Sequence, residues 1–344
     1  MRPCMERNDS MKKFGVAIIG CGAVAKNHGK AVNASKQADL LYCIDLDAKK
    51  AQEFCAVYGG TPLVDYHEIL DDPSVDIVHI VTPHFTHADI AIDCMLHGKQ
   101  VFCEKPLAIN VSDGQRMIAV SRKTGCYLGI CFQNRMNDAS VAAKDLIDRE
   151  VYGQVLSVVA TVRWDRHGEY YSKSPWRGQY DTEGGGCIIN QSIHTIDLMQ
   201  YLCGKVTELT AIDAHMRETH DYEVDDSCMA NFVFANGATG VGYFTNCAKL
   251  CKTADVEIIC EKGALLVSQK GLTITTTEGS SFIPSEVATG EKSEWGLSHG
   301  RLIEAFYTAV ATNKPFLVDG TAALEAVKII QALQYSKGKT VKVK

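Results

Sequence analysis

The chain has 344 residues, enough for two domains, and its 46% apolar composition supports a sizeable core. A net charge of −6, with acids and bases interspersed, excludes the basic stripe of a nucleic-acid-binding protein. No stretch approaches the ~20 apolar residues of a membrane span, and Met1–Lys13 is polar, unlike a signal peptide.

Gly15–Gly20 reads as a buried strand and Ala23–Ala34 as a helix. Leu40–Ile44 is a second strand and Ala48–Tyr58 a second helix. Ile77–Val81, a helix over His87–His97, the strand Val101–Cys103, a helix over Ser112–Thr124 and the strand Tyr127–Cys131 follow. Strands alternating with helices predict right-handed parallel βαβ units. Beyond about residue 150 the texture changes. Leu156–Trp164 alternates like a half-exposed strand. Cys228–Phe234 and Thr239–Thr245 flank Asn236-Gly237, a hairpin signal, and Val256–Cys260 and Ala264–Ser268 flank the turn Glu261–Gly263. These predict a mostly antiparallel sheet. A long helix over Gly185–Leu202, stopped by Gly204, interrupts it, and helices near Leu302–Ala311 and Ala322–Tyr335 close the chain.

None of the 14 cysteines stands in a CxxC pair. Cys126 and Cys131, like Cys247 and Cys251, have no histidine cluster nearby, so no metal site is expected. The thiols read as buried and reduced, as in a cytoplasmic protein.

The first strand runs into Gly20-Cys21-Gly22-Ala23-Val24-Ala25, a G-x-G-x-x-A turn opening a helix. Gly20 makes the tight turn, Gly22 lets the backbone approach a pyrophosphate, and Ala25 keeps the helix close to the sheet. Asp45 ends the second strand at the spacing of an acid that accepts from both ribose hydroxyls and repels a 2′-phosphate, which favours NAD over NADP. Asp47 fits the cap of the next helix better, and Lys49 and Lys50 read as a solvated helix face.

Further motifs follow in order: Val81-Thr82-Pro83 with His87, Cys103-Glu104-Lys105-Pro106, and Gly184-Gly185-Gly186 with His194 and Asp197. The ordered set resembles the Gfo/Idh/MocA oxidoreductases, the glucose–fructose oxidoreductase and inositol dehydrogenase family, over nearly the whole chain. The resemblance implies an α/β fold. A Rossmann domain, residues 14–131, precedes an α+β domain, residues 132–344, with a large open, mostly antiparallel sheet. It implies a pyridine nucleotide and a sugar or cyclic polyol substrate. It also implies Lys105 at the active site, His194 as acid or base, and Thr82, His87 and Glu104 beside the nicotinamide half of the cofactor. Many members carry an aspartate four residues before the histidine; this chain has Asn190.

Oxidising a carbinol requires a hydride to leave carbon, a proton to leave oxygen, and a donor for the developing charge. Histidine suits the proton step by its unperturbed pKa, and lysine suits the charge step. Asn190, His194 and Asp197 share one helical face by spacing, beside an apolar stripe of Ile189, Ile193 and Ile196. Between Arg163 and Arg177 polar and aromatic residues mix, as sugar sites require. Arg163, Trp164, Arg166, Tyr170, Trp176 and Arg177 are therefore substrate candidates, with Asn190. Asn134 follows a strand end and is a cofactor candidate, with Arg135 beside it; His215, His220 and His299 are weaker candidates. The expected function is NAD-dependent oxidation or reduction of a sugar, glycoside or cyclic polyol, assisted by Lys105 and His194. The alternatives are a glycosidase that oxidises its substrate transiently with NAD, and a non-catalytic NAD-binding sensor. A homodimer or homotetramer through the C-terminal sheet is expected, because open sheet faces are usually covered.

Overall fold

A computed structural model of the protein describes residues 13–166, 168–217, 222–250, 253–286 and 298–344. The polar segment 1–12 and His220 lie outside them. The first sheet is built from β1 (Phe14–Ile19), α1 (Ala25–Ala34), β2 (Ala38–Ile44), α2 (Ala48–Tyr58), β3 (Thr61–Leu63), β4 (Ile77–Ile80), α3 (His87–Leu96), β5 (Gln100–Cys103), α4 (Val111–Thr124) and β6 (Leu128–Ile130). Its six strands are parallel, in the order β3-β2-β1-β4-β5-β6. Helices cover both faces of such a sheet, which is why β1 reads as a continuous apolar run with five of six residues buried. The strand order reverses between β1 and β4, and the crevice beyond their carboxyl ends is where ligands bind in doubly wound sheets. The edge strand β3 is absent from the sequence reading. Gly59, Gly60 and Pro62 read as a turn, and only the ladder to β2 makes the segment a strand.

The second part comprises α5 (Asp138–Asp148), β7 (Val155–Arg163), α6 (Gly168–Ser172), α7 (Tyr180–Glu183), α8 (Ile193–Cys203), β8 (Val206–Ala214), β9 (Ser227–Phe234), β10 (Thr239–Thr245), β11 (Thr253–Cys260), β12 (Gly263–Ser268), β13 (Gly271–Thr276) and β14 (Gly279–Pro284). After it come α9 (Ser298–Thr312), α10 (Gly320–Ser336) and β15 (Thr340–Lys342). The nine strands run β14-β13-β12-β11-β7-β10-β9-β8-β15. Only the β7–β10 pair is parallel. Both expected hairpins form, β9–β10 around Asn236-Gly237 and β11–β12 around Glu261–Gly263. Helix α8 packs on one face of the sheet. On the other, Ile212, Met229 and Tyr243 stand side by side across β8, β9 and β10, with Val233 and Val241 near them, and all are exposed.

The C-terminal helices return to the first sheet. Helix α9 lies on α1, where Glu304 accepts from Ser35 Oγ at 2.7 Å, and α10 lies against α4. Ile130 donates its N–H to the carbonyl of Val318 at 2.9 Å, so the late chain borders β6.

The single helix expected over Gly185–Leu202 is a correction. Cys187–Gln191 forms a π-helical turn, and α8 starts only at Ile193. Gly184 and Gly185 sit at φ 85° and 139°, outside helical space, and a Cβ on Gly186 would lie 2.0 Å from the carbonyl oxygen of Asp225. The Asp225 carboxylate anchors this turn by accepting from the N–H groups of Gly186 and Ile188. Asn190, His194 and Asp197 therefore do not form one α-helical face. Asp197 faces away from solvent and takes a bidentate fork from Arg135, at 2.8 and 2.6 Å. Arg135, which sits in the short 3₁₀ turn after β6, thereby pins the exit of the first sheet to α8. Both partners are buried, so removing one strands the other charge. Arg135→Met is expected to lower the unfolding free energy in urea by ~3–5 kcal/mol, and Arg135→Met with Asp197→Leu to recover most of it.

Candidate active site

Five loops leave the carboxyl ends of the parallel strands, and each carries a residue singled out above. At the end of β1, Gly20 has φ 95°, and a Cβ there would sit 2.5 Å from the carbonyl oxygen of Val81. Only glycine fits so close to the neighbouring strand's exit. Gly22 is different: a Cβ on it would meet no protein atom within 4 Å. Gly22 and Ala23 are exposed, Val24 caps α1 without a side-chain hydrogen bond, and no acid stands in the first turn. Ala25, by contrast, is fully buried against the sheet. The free N–H groups and positive dipole end of α1 thus open onto the crevice. At the end of β2, Asp45 accepts from Cys21 N–H at 2.9 Å and from Asp47 N–H at 3.0 Å, which ties the glycine loop to this strand. Asp47 caps α2 through Lys49 N–H. After β4, Thr82 Oγ1 accepts from Thr86 Oγ1. The glycine cradle, the uncapped helix and the acid beyond β2 fit a dinucleotide.

Glu104 and Lys105 follow β5. The lysine side chain reaches across to the π-helical turn, where Nζ donates to the Asn190 carbonyl at 3.0 Å and to Asn190 Oδ1 at 3.2 Å. Burial pulls the Lys105 pKa down to about 8, although Glu104 and then Glu183 oppose the shift. His194 is nearly buried, and burial together with the Lys105 charge pushes its pKa down to about 3. It is therefore neutral near pH 7, whereas an unperturbed histidine would titrate there. Its Nδ1 has no hydrogen-bond partner among the described residues, and neither has Asn134 Oδ1 or Arg177 Nε.

Beneath Lys105 runs a buried chain that sequence reasoning missed. Glu104 Oε1 meets His28 Nε2 at 3.0 Å, His28 Nδ1 meets His79 Nδ1 at 3.0 Å, and His79 Nε2 meets the Tyr307 hydroxyl at 3.0 Å. His28 Nε2 donates to the carboxylate, and the Nδ1–Nδ1 contact is satisfied in either direction: where His79 donates to His28, Tyr307 donates to His79, and where His28 donates to His79, His79 donates to the Tyr307 oxygen. The His79 ring is neutral in both. Burial holds the His79 pKa well below the histidine range, as this requires. Burial disfavours the charged form of Glu104, but the His28 N–H and nearby His299 and Lys105 prevail and keep its carboxyl well below the usual range. Cys131 Sγ lies with His28 and Glu104, their ligand-capable atoms all within 4.8 Å of one another. No local spacing in the sequence announces that grouping. His28 and His79 are separated by 51 residues and look like ordinary core histidines.

His87 is buried, with Nδ1 at 2.8 Å from the Pro106 carbonyl and Nε2 at 3.0 Å from the Thr82 carbonyl. Its side chain braces the loops that carry Thr82 and Lys105. On the substrate side, the Tyr170 hydroxyl accepts from Asn190 Nδ2 at 3.0 Å and Gln191 Nε2 at 2.7 Å. Its pKa is pushed up to about 12 by burial, so it keeps a proton to donate. Arg177 stacks over the Tyr170 ring at 4.2 Å and over Trp176 at 5.3 Å, and Trp176 packs on His84 at 4.7 Å. Arg166 lies over both Trp164 and Tyr170, at 5.1 and 5.6 Å. The structure thus gathers Tyr170, Trp176, Arg177 and Asn190 near Lys105. Arg163 ends β7, and Trp164 is largely buried beside it. Of the weaker histidines, His299 approaches Glu104 at 3.9 Å, while His215 stacks on Tyr222.

Comparison with known proteins gives consistent matches. Residues 14–132 match a family model described as an oxidoreductase family with an NAD-binding Rossmann fold, and residues 140–266 match the GFO/IDH/MocA C-terminal domain. The scyllo-inositol 2-dehydrogenase (NAD(+)) of Bacillus subtilis strain 168 is 27% identical over 276 residues, 77% of this chain and 78% of that protein. The levoglucosan dehydrogenase of Pseudarthrobacter phenanthrenivorans is 27% identical over 260 residues, 67% of each chain. The crystal structure of the WlbA dehydrogenase from Bordetella pertussis, in complex with NADH and UDP-GlcNAcA, superposes with a TM-score of 0.84 at 24% identity, covering 97% of this chain and 99% of that one.

The two glycines separate folding from nucleotide binding. Gly20→Ala is expected to destabilise the protein by more than ~1 kcal/mol through its backbone angle and the Val81 clash. Gly22→Ala is expected to leave the thermal midpoint in place and weaken NAD+ at least ~10-fold, about 1.4 kcal/mol. Thermal melts with NAD+ titration by fluorescence check both.

Proposed function

The chain belongs to the Gfo/Idh/MocA family of oxidoreductases with an NAD-binding Rossmann fold, and on that premise we propose that it oxidises or reduces a ring carbinol of a sugar, glycoside or cyclic polyol. The observation that carries this reading is Lys105. It is a lysine held at the carboxyl end of a Rossmann strand with its pKa down at about 8, beside a neutral histidine. The named activities of the inositol and levoglucosan relatives support the substrate class.

Gly20, Gly22, Ala23, Val24 and Ala25 would hold the pyrophosphate, Asp45 the adenosine ribose, and Thr82, Glu104 and Asn134 the nicotinamide side. When bound, the nicotinamide supplies a two-electron acceptor for the hydride of the carbinol carbon. The protein's own residues manage the oxygen and its proton. A base works best with a pKa near the operating pH. By that criterion Lys105, at about 8, is better matched than His194, at about 3. In the oxidative direction, neutral Lys105 takes the hydroxyl proton as the C–H bond breaks. The ammonium so formed then donates to the new carbonyl oxygen. His194, neutral, accepts a hydrogen bond from a substrate hydroxyl and fixes its orientation. This revises the division of labour expected from unperturbed pKa values. Tyr170 donates its hydroxyl hydrogen to a ring oxygen, while Trp176, Arg177 and Arg166 offer aromatic and cationic surface to the sugar face. Asn190 holds the lysine.

Self-association through the open sheet is part of the same proposal. The exposed row Ile212, Met229 and Tyr243 supplies the apolar centre of an interface.

A screen of sugars, inositols and glycosides with NAD+ and NADP+, read by nucleotide absorbance, tests the activity. Lys105→Met is expected to lower kcat/KM by at least ~10²-fold, and His194→Ala to lower it by a smaller factor of ~10-fold, both with NAD+ affinity within a few-fold of the parent. Full activity in both variants would sink the assignment. Met229→Glu is expected to reduce the mass measured by light scattering to that of a smaller assembly.

A further inference from the structure

Lys105 is bound to an amide, and a carboxylate stands one hydrogen bond farther on. Asn190 Oδ1 accepts from Lys105 Nζ, and Asn190 Nδ2 donates to Glu183 Oε1 and to the Tyr170 hydroxyl. We propose that Glu183 is the positioning residue for Lys105, supplying through the Asn190 amide the negative charge that holds the lysine ammonium in place and keeps a proton on it. The proposal rests on the reading of Lys105 as the reacting lysine.

The orientation of Asn190 is dictated by its neighbours. An amide has one accepting and one donating end. Flipped, it would point N–H groups at an ammonium and an oxygen at a carboxylate. As it stands, the Glu183 carboxylate polarises the amide and makes Oδ1 a stronger acceptor for Lys105. Glu183 is fully buried and fixed on every side. Oε2 accepts from Gly178 N–H at 2.6 Å, and its main-chain carbonyl takes a bond from His84 Nδ1 at 2.8 Å. The turn that brings the two together follows at once. Helix α7 ends in Gly184 at φ 85°, and the chain then enters the π-helical turn that presents Asn190. An aspartate at 190 would put two carboxylates within bonding distance, and one of them would hold a proton. An amide at 190 is thus the fitting partner for an acid at 183.

The surrounding charges are consistent with this role. Glu104 and Glu183 are the two carboxylates that oppose the burial of Lys105, against Arg177. His84, His87, His194 and His299 also face the lysine, and burial lowers the pKa of each. Glu183 itself faces Arg177 and Asp225, and burial pushes its pKa up to about 7. Above that range its charge is present to act on Lys105.

Competitive labelling of the full-length protein with acetic anhydride, read on the Lys105 peptide by mass spectrometry, reports the neutral fraction of this lysine without substrate. Glu183→Gln is expected to raise Lys105 labelling at pH 7 by ~3–10-fold. Adding Asn190→Asp, which returns a single carboxylate directly to the lysine, is expected to bring labelling back to within ~2-fold of the parent. The rising limb of kcat/KM against pH should move to lower pH in Glu183→Gln and return in the double variant. A purely structural Glu183 would move neither readout, so unchanged labelling in folded Glu183→Gln overturns the proposal. If that variant does not fold, the double variant decides alone. Labelling ~3-fold or more above the parent then overturns it, and labelling near the parent supports it. An inactive parent would refute the dehydrogenase reading and leave the labelling result to stand, whereas unchanged labelling in an active enzyme refutes only the coupling.

Discussion

A lysine ammonium placed where two sheets meet has to be compensated, and much of the site is arranged around that need. Taking a charge out of water costs several kcal/mol unless acceptors replace the lost solvent. Lys105 obtains its compensation from both halves of the chain: the charge of Glu104 beside it at the carboxyl end of β5, and the carbonyl and amide oxygens of Asn190 on the π-helical turn. The compensation is incomplete, and the residual burial brings the lysine into the range where it can exchange a proton near neutral pH.

Each acceptor is in turn held by partners deeper in the fold. Glu104 sits at the head of the His28–His79–Tyr307 chain, which joins α1, β4 and α9. Asn190 is held by Tyr170 and Glu183, and the turn that carries it is anchored by Asp225 at the entry to β9. Farther along, the Arg135–Asp197 fork ties the exit of β6 to α8. Networks of this kind are stable only when every member is satisfied. Among the described residues four buried side-chain atoms lack a partner: one is Asn246 Oδ1, and the other three belong to Asn134, Arg177 and His194, residues already marked as candidates for binding.

Much of the first domain was legible because its signals are local. The glycine turn needs a positive φ and a close approach, which only glycine provides, and Asp47 caps a helix two residues away by a short-range bond. Asn236-Gly237 likewise fixes its hairpin locally. What failed was long-range. Strand β3 carries Pro62 after Gly60 and becomes a strand only through its ladder to β2, and the edge strands β14 and β15 are each held by a single neighbour. The helix over Gly185–Leu202 looked continuous by periodicity, but Gly186 lies too close to Asp225 for any other residue and the first turn opens into a π-helix.

The sequence by itself determined the parallel βαβ half, the dinucleotide cradle and the family to which the motifs point, since each depends on residues adjacent in the chain. Only the tertiary structure decided what the chemical groups are worth. A histidine read as a near-neutral acid or base becomes a weak base because it is buried beside a cation. An aspartate read as part of the cleft becomes half of a buried ion pair. The carboxylate that accepts from Asn190 is that of Glu183, seven residues earlier in the chain. Proton affinity depends on burial and on charges across space, and neither is encoded in the spacing of residues along one chain segment.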